Sequence, residues 1–220
     1  MSLQEISSRI GGRFEEMDRA RDQSLFSSRK VIKNCGLAIR AVHRGHFQEV
    51  ESLLQQAREL LTQACDPLRQ YPDVYYSGFI QDAEKEYSEA QITYRIVSGG
   101  ELPGPEELGV DNAPFLNGLA EAVGELRRQV LDLLRRGELA KAEDLLSVMD
   151  DIYYVLISMD FPDAITRGLR RNTDIARGCL EKTRGDLTHH SAGHNLEREL
   201  SSIRNRLSRE ADQLLQAALR

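Results

Sequence analysis

The sequence predicts an all-α protein, an up-and-down bundle of six or seven helices ending in an amphipathic tail. Three observations support this. Leu, Ala, Glu, Arg and Gln dominate long stretches that contain only 6 prolines in 220 residues, a composition that favours helix. No segment alternates apolar and polar residues as a half-buried strand does. Apolar residues instead recur at spacings of three and four, with Gly- or Pro-containing breaks between the periodic segments.

Taken in order, the first helix runs from about Leu3 to Arg44, with Ile10, Phe14, Met17, Leu25, Val31 and Ile39 among its apolar members, and Gly45 stops it. A second, from Phe47 to Ala64, carries Val50, Leu54, Ala57 and Leu61. The stretch DPLRQYPDVYYSG, with Pro67 and Pro72, reads as irregular. A third helix spans about Ser77 to Val97, with Phe79, Ala83, Tyr87, Ala90, Tyr94 and Val97 on its apolar face. The Gly- and Pro-rich loop GGELPGPEELGVDNAP follows, with one helical turn expected at Pro105 to Leu108. The fourth helix covers Ala113 to Arg136, and the fifth begins directly after Gly137. Pro162 opens a sixth that ends near Gly185. The segment THHSAGHN reads as a loop, so the chain divides into a helical domain, 1–187, and a linker with a C-terminal helix, 188–220. Leu196, Leu200, Ile203, Leu207, Ala211, Leu214 and Ala218 form the seam of that last helix.

Charge is distributed unevenly. Residues 23–48 contain no acid and carry Arg29, Lys30, Lys33, Arg40 and Arg44, a net +5, with His43 and His46 able to add charge at lower pH. Residues 81–151 hold 16 Asp and Glu against 7 Lys and Arg, a net −9. A basic helix beside an acidic block suits a phosphodiester substrate, although two ordinary solvated helix faces would look the same. No apolar run approaches the ~20 residues of a membrane span, and no signal-peptide pattern stands at Met1. Cys35, Cys65 and Cys179 are widely separated and odd in number, which points to a reducing, cytoplasmic setting.

The acidic block contains the candidate site. In DAEKEYSEAQITYRIV, Asp82, Glu86 and Glu89 fall along one helix edge, on the flank of the apolar stripe. Glu121 and Glu125 repeat the four-residue spacing in FLNGLAEAVGELRRQVLDLL, opposite the stripe of Leu119, Val123, Leu126, Val130 and Leu133. Gly118 and Gly124 share that polar face. Glycine inside a helix costs roughly 1 kcal/mol against alanine, so a close neighbour would explain it. Four or five carboxylates across two helices suit a hard divalent cation such as Mg²⁺, with Mn²⁺ as a substitute. His189, His190 and His194 lie in the expected linker and read as solvated. The loop GGELPGPEELG lacks the Lys-Ser/Thr of a phosphate loop.

The strings GFIQDAEKEYSEAQITYRIVSGGELP, NGLAEAVGELRR and LRRNTDIARGCLEKTRGDL resemble the translin and translin-associated factor X (TRAX) family, over roughly Ser27 to Leu187. EYSEA at Glu86–Ala90 is similar to the acidic motif of the TRAX-like, catalytic branch. The family's second acidic pair falls on Glu121 and on Glu125 of Gly124-Glu125, with Glu121 where Asp is common. The resemblance implies a hollow, octamer-like homo-oligomer that binds RNA or single-stranded DNA, with Mg²⁺-dependent endoribonuclease activity, and a translin-like partner subunit in some members. Two other classes stay open: a non-catalytic RNA-binding scaffold of translin type, and a helical adaptor that recruits a partner through the tail seam.

Overall fold

In the computed structural model, which describes residues 2–218, every regular element among the described residues is helical. The side chains of His194, Asn195 and residues 212–218 lie outside the described residues, Leu214 and Ala218 of the tail seam among them. Among the described residues six helices are long: α1 (Leu3–Arg44), α2 (Phe47–Cys65), α4 (Phe79–Ser98), α6 (Asn112–Arg135), α7 (Leu139–Ser158) and α9 (Leu169–Ala218). Single-turn helices α3 (Pro72–Tyr75), α5 (Pro105–Leu108) and α8 (Asp163–Thr166) stand between them, with a 3₁₀ turn at Asp66–Leu68. No helix among the described residues is long and apolar enough to cross a membrane.

Local sequence accounts for the ends. Ser2 and Glu5 cap α1 reciprocally: the Ser2 hydroxyl accepts from the Glu5 N–H and Glu5 Oε2 accepts from the Ser2 N–H. Gly45, at φ 72°, closes α1 in the left-handed conformation that only glycine adopts without penalty. The N-terminal part of α1 before Ala20 is largely exposed, Ile10 and Phe14 included, and Ala20 packs against the bundle. Burial begins at Ser24.

Two apolar clusters meet at α4. On one side Ile80, Ala83, Tyr87 and Ala90 pack with Val31, Cys35, Val42, Val50, Leu54 and Leu61 of α1 and α2. On the other, Ile92 joins Val123, Leu126 and Val130 of α6, Met149 and Ile152 of α7, and Leu169, Ala176 and Leu180 of α9. The apolar stripes expected on α4 and α6 are the faces that bury.

The alternation of directions expected for an up-and-down bundle is broken. Lys85 meets Glu121, while Ile96 and Leu133 line one cavity, so α4 and α6 run parallel. The break is confined to this pair: Asn117 meets Asn172 and Arg127 meets Asp186, so α9 is parallel to α6, as alternation through α7 requires. The reason is loop length. Residues 99–111 reach ~45 Å when extended, more than the ~30 Å of a 20-residue helix, so the chain returns to the start of α4 before α6 begins.

Two boundaries also differ from expectation. The sixth helix is divided at Arg167-Gly168 into α8 and α9. Helix α9 then continues through Gly185 and through residues 188–195, expected to be a loop. THHSAGHN contains no proline, and each residue costs at most about 1 kcal/mol against alanine. Extending a nucleated helix gains a hydrogen bond per residue, so a weak stretch does not end it.

Candidate metal centre

Close contact between α4 and α6 creates the site. A Cβ on Gly118 would stand 2.6 Å from the Lys85 carbonyl oxygen, 2.8 Å from Ser88 Cβ and 2.9 Å from the Glu89 nitrogen, so only glycine fits there. Gly124 has nothing within 4 Å, and the close approach expected for both glycines belongs to Gly118 alone. Across this contact, oxygens of Glu86, Glu89 and Glu121 all lie within 4.8 Å of one another.

Glu89 is the most enclosed of the three, at 9% exposure. Burial, reinforced by the charges of Glu86, Glu121 and Glu125, pushes its carboxyl up to about 8. Lys85 neutralises part of the charge: its ammonium donates to both Glu121 oxygens, at 2.7 and 2.8 Å, and lies 3.3 Å from Glu86. Glu125 faces the same acids but is held by His43, whose Nε2 lies 2.5 Å from its carboxylate. That hydrogen bond outweighs burial, which acts in the opposite direction, and with the charges of His43 and Arg128 it keeps the Glu125 carboxyl below its ordinary range. Asp82 is exposed and outside the group of three. Sequence reasoning missed Lys85 and placed His43 with the basic run. A lone Lys among acids and a lone His on a basic helix give no signal of their own; only the packing of α1 and α4 on α6 assigns them.

The donor set fits a hard cation. Oxygens on an octahedral ion with ~2.1 Å bonds lie ~3 to ~4.2 Å apart, so a small rotation of side chains at 4.8 Å encloses one ion. Burial first, and then the charges of three neighbouring acids that one Lys does not cancel, push the Glu89 carboxyl up, and a cation among these oxygens would relieve that repulsion.

The basic run forms a stripe beside this centre. At 100° per residue, Arg29, Lys33, Arg40 and Arg44 fall within about 60° of α1's circumference. All four are exposed, as is Lys30, which stacks over Phe26. None of the five pairs with a carboxylate among the described residues. His43, on the edge of the stripe, links it to Glu125.

Two other polar features surround α4. Buried Glu84 accepts from the Tyr75 hydroxyl at 3.2 Å while its Oε2 has no partner, and burial followed by the charge of Asp111 raises its carboxyl to about 7. At the α8–α9 corner, Arg167 holds φ 50°, the one positive value at a non-glycine among the described residues. Such a conformation costs about 1–3 kcal/mol.

A parallel-crossover helical bundle with glutamates converging between two of its helices defines an all-α protein with an acidic cluster at the contact of α4 and α6. The chain belongs to the translin family. An uncharacterized protein of Methanocaldococcus jannaschii is 30% identical over 195 residues, which cover 88% of this chain and 86% of that protein. AfC3PO, from Archaeoglobus, solved both alone and as a complex with duplex RNA, is 36% identical with a TM-score of 0.78, covering 88% of this chain and 98% of that chain. The apo form of NeC3PO, from Nematostella, is 19% identical with a TM-score of 0.77 over 86% of this chain and 98% of that chain, a likeness of fold. No family model matches the chain.

Proposed function

We propose that this protein is a cytoplasmic divalent-metal-dependent endoribonuclease that acts as a homo-oligomeric, shell-like assembly. The observation that carries the reading is the convergence of Glu86, Glu89 and Glu121 oxygens within 4.8 Å. Glu125 stands beside them as the fourth acid and Asp82 as an outer one. The solved complex of AfC3PO with duplex RNA supports RNA as the substrate class; single-stranded DNA presents the same phosphodiester groups without the 2′-hydroxyl. A translin-like partner subunit is compatible with the fold.

Mg²⁺, or Mn²⁺ in its place, would be held by Glu86, Glu89 and Glu121, and when bound supplies charge stabilisation at the phosphate and a more acidic water. The protein's residues do the rest. Glu89 gives up its proton on loading. Lys85, released from Glu121, donates to a phosphate oxygen. His43 keeps Glu125 ionised and oriented, while Arg29, Lys30, Lys33, Arg40 and Arg44 hold the RNA backbone electrostatically.

One observation favours a second reading. Lys85 already occupies part of the acidic cluster, as it would in a metal-free RNA-binding scaffold. Labelled single-stranded RNA incubated with Mg²⁺, Mn²⁺, Ca²⁺ or EDTA separates the two, with native mass spectrometry on the same preparation. The nuclease reading expects cleavage with Mg²⁺ or Mn²⁺ and none in EDTA, and loss of at least about a hundredfold in Glu86→Gln with RNA still bound. Equal binding and no cleavage under all conditions would establish the scaffold, and a monomeric mass would refute the shell.

A further inference from the structure

A cavity of about 610 Å³ adjoins the carboxylates, within the range of small-ligand sites. Its walls come from the α3–α4 turn, the first turns of α4 and α6, and the α8–α9 corner, and Lys85 and Glu121 are shared with the acidic cluster. Three side chains give it a ligand chemistry. Arg167 and Arg171 line it, and neither pairs with a carboxylate among the described residues. Arg167 lies over the Tyr76 ring, 5.4 Å from its centroid, and half of Tyr76 is exposed. The wall also carries three acids: Glu121, paired with Lys85, Asp163, which accepts from the Gly168 N–H at 2.7 Å, and Asp82.

The site is built and held. Asn117 donates to the carbonyls of Ala113 and Thr166, at 2.8 and 2.9 Å, and Asn172 donates to Asn117 at 2.9 Å, tying the corner that carries both arginines to α6. The left-handed backbone at Arg167 is retained within this network, as strained residues at functional sites are. Gln81, 6% exposed and part of the cavity wall, keeps a buried Oε1 with no partner.

We infer that this cavity binds one unpaired nucleotide of the RNA next to the phosphate held at the carboxylates. The guanidinium of Arg171, with that of Arg167, takes the nucleotide's phosphate, for which planar forked donors are suited. Tyr76 and the Arg167 plane stack its base, a contact open to every base. The placement beside the cut rests on the nuclease reading; binding of the nucleotide does not.

The full-length protein is titrated in EDTA with adenosine 5′-monophosphate, uridine 5′-monophosphate and base-free ribose 5-phosphate, followed by NMR. Both nucleotides bind saturably and more tightly than ribose 5-phosphate. Arg171→Gln, on an exposed face of α9, weakens them at least about fivefold. Arg167→Gly, which removes the guanidinium and suits the left-handed backbone, does the same, and Tyr76→Ala abolishes the preference for a base. Glu86→Gln leaves nucleotide affinity within about twofold, because the cavity does not need the cation. On RNA, Arg171→Gln raises KM with little change in kcat. Absence of saturable nucleotide binding up to about 10 mM, or unchanged affinity in both arginine variants, overturns the inference. Nucleotide binding without RNA cleavage upholds the cavity and refutes the nuclease; cleavage without nucleotide binding does the reverse.

Discussion

Glu84 and Glu89 share one physical situation, a carboxyl buried beside other acids, and both titrate far above the ordinary carboxylate range. A raised folded-state pKa means the native protein holds a proton that the unfolded chain has released. Stability from this source is full below about pH 4.5 and is lost as pH rises through 7 for Glu84 and 8 for Glu89. In the metal-free protein the unfolding free energy should therefore fall between about pH 5 and 8.5. Glu84→Gln, which keeps an acceptor for the Tyr75 hydroxyl, should remove up to about 3 kcal/mol of that fall. Urea unfolding at about pH 5, 7 and 8.5 measures it, and an identical pH profile in the variant would show that Glu84 ionises freely. Cation binding should displace the Glu89 proton below about pH 8, so calorimetry in two buffers of different ionisation enthalpy near pH 7 should report proton release. Release that persists undiminished in Glu89→Gln would assign the proton elsewhere.

At the scale of helices, the spacing between α4 and α6 controls the site, and Gly118 controls the spacing. Gly118→Ala should cost about 1–3 kcal/mol by overpacking and should weaken Mg²⁺ binding, since both backbones must separate. Gly124→Ala, with nothing within 4 Å, should stabilise the fold by up to about 1 kcal/mol and leave cation affinity unchanged. The paired melting curves decide this, and equal destabilisation in both would remove the special role of Gly118. Helix α1 carries the complementary prediction. Charge reversal at Lys30 and Lys33 should weaken RNA binding and lower the slope of log K against log salt by about 1 for each phosphate no longer neutralised; an unaltered slope would exclude both lysines as phosphate ligands.

Across the whole molecule, stability should divide between the two clusters that share α4 and the projecting arms. Ile92→Ala or Leu126→Ala, both fully buried, should cost about 2–5 kcal/mol. Leu200→Ala and Leu207→Ala, on the exposed part of α9, should change the stability of a single bundle by less than about 0.5 kcal/mol. Denaturant titration at a concentration where the protein is monomeric compares them, and a large effect at Leu200 would show that the tail folds back on the bundle.

The fold class, the ends of most helices and the stripes that bury were legible because each depends on neighbours three or four residues apart, and caps such as Ser2–Glu5 and Gly45 are local too. The same periodicity placed Glu86 with Glu89 and Glu121 with Glu125 without any knowledge of packing. The sequence alone therefore determined where helices form and which faces carry acid. Only the tertiary structure decided that α4 and α6 lie parallel and that Gly118 and not Gly124 is their contact. It also decided that Lys85 and His43 belong to the acidic centre. Those outcomes depend on loop reach and on the register between segments 36 to 82 residues apart, and helical periodicity carries no information about register between separate helices.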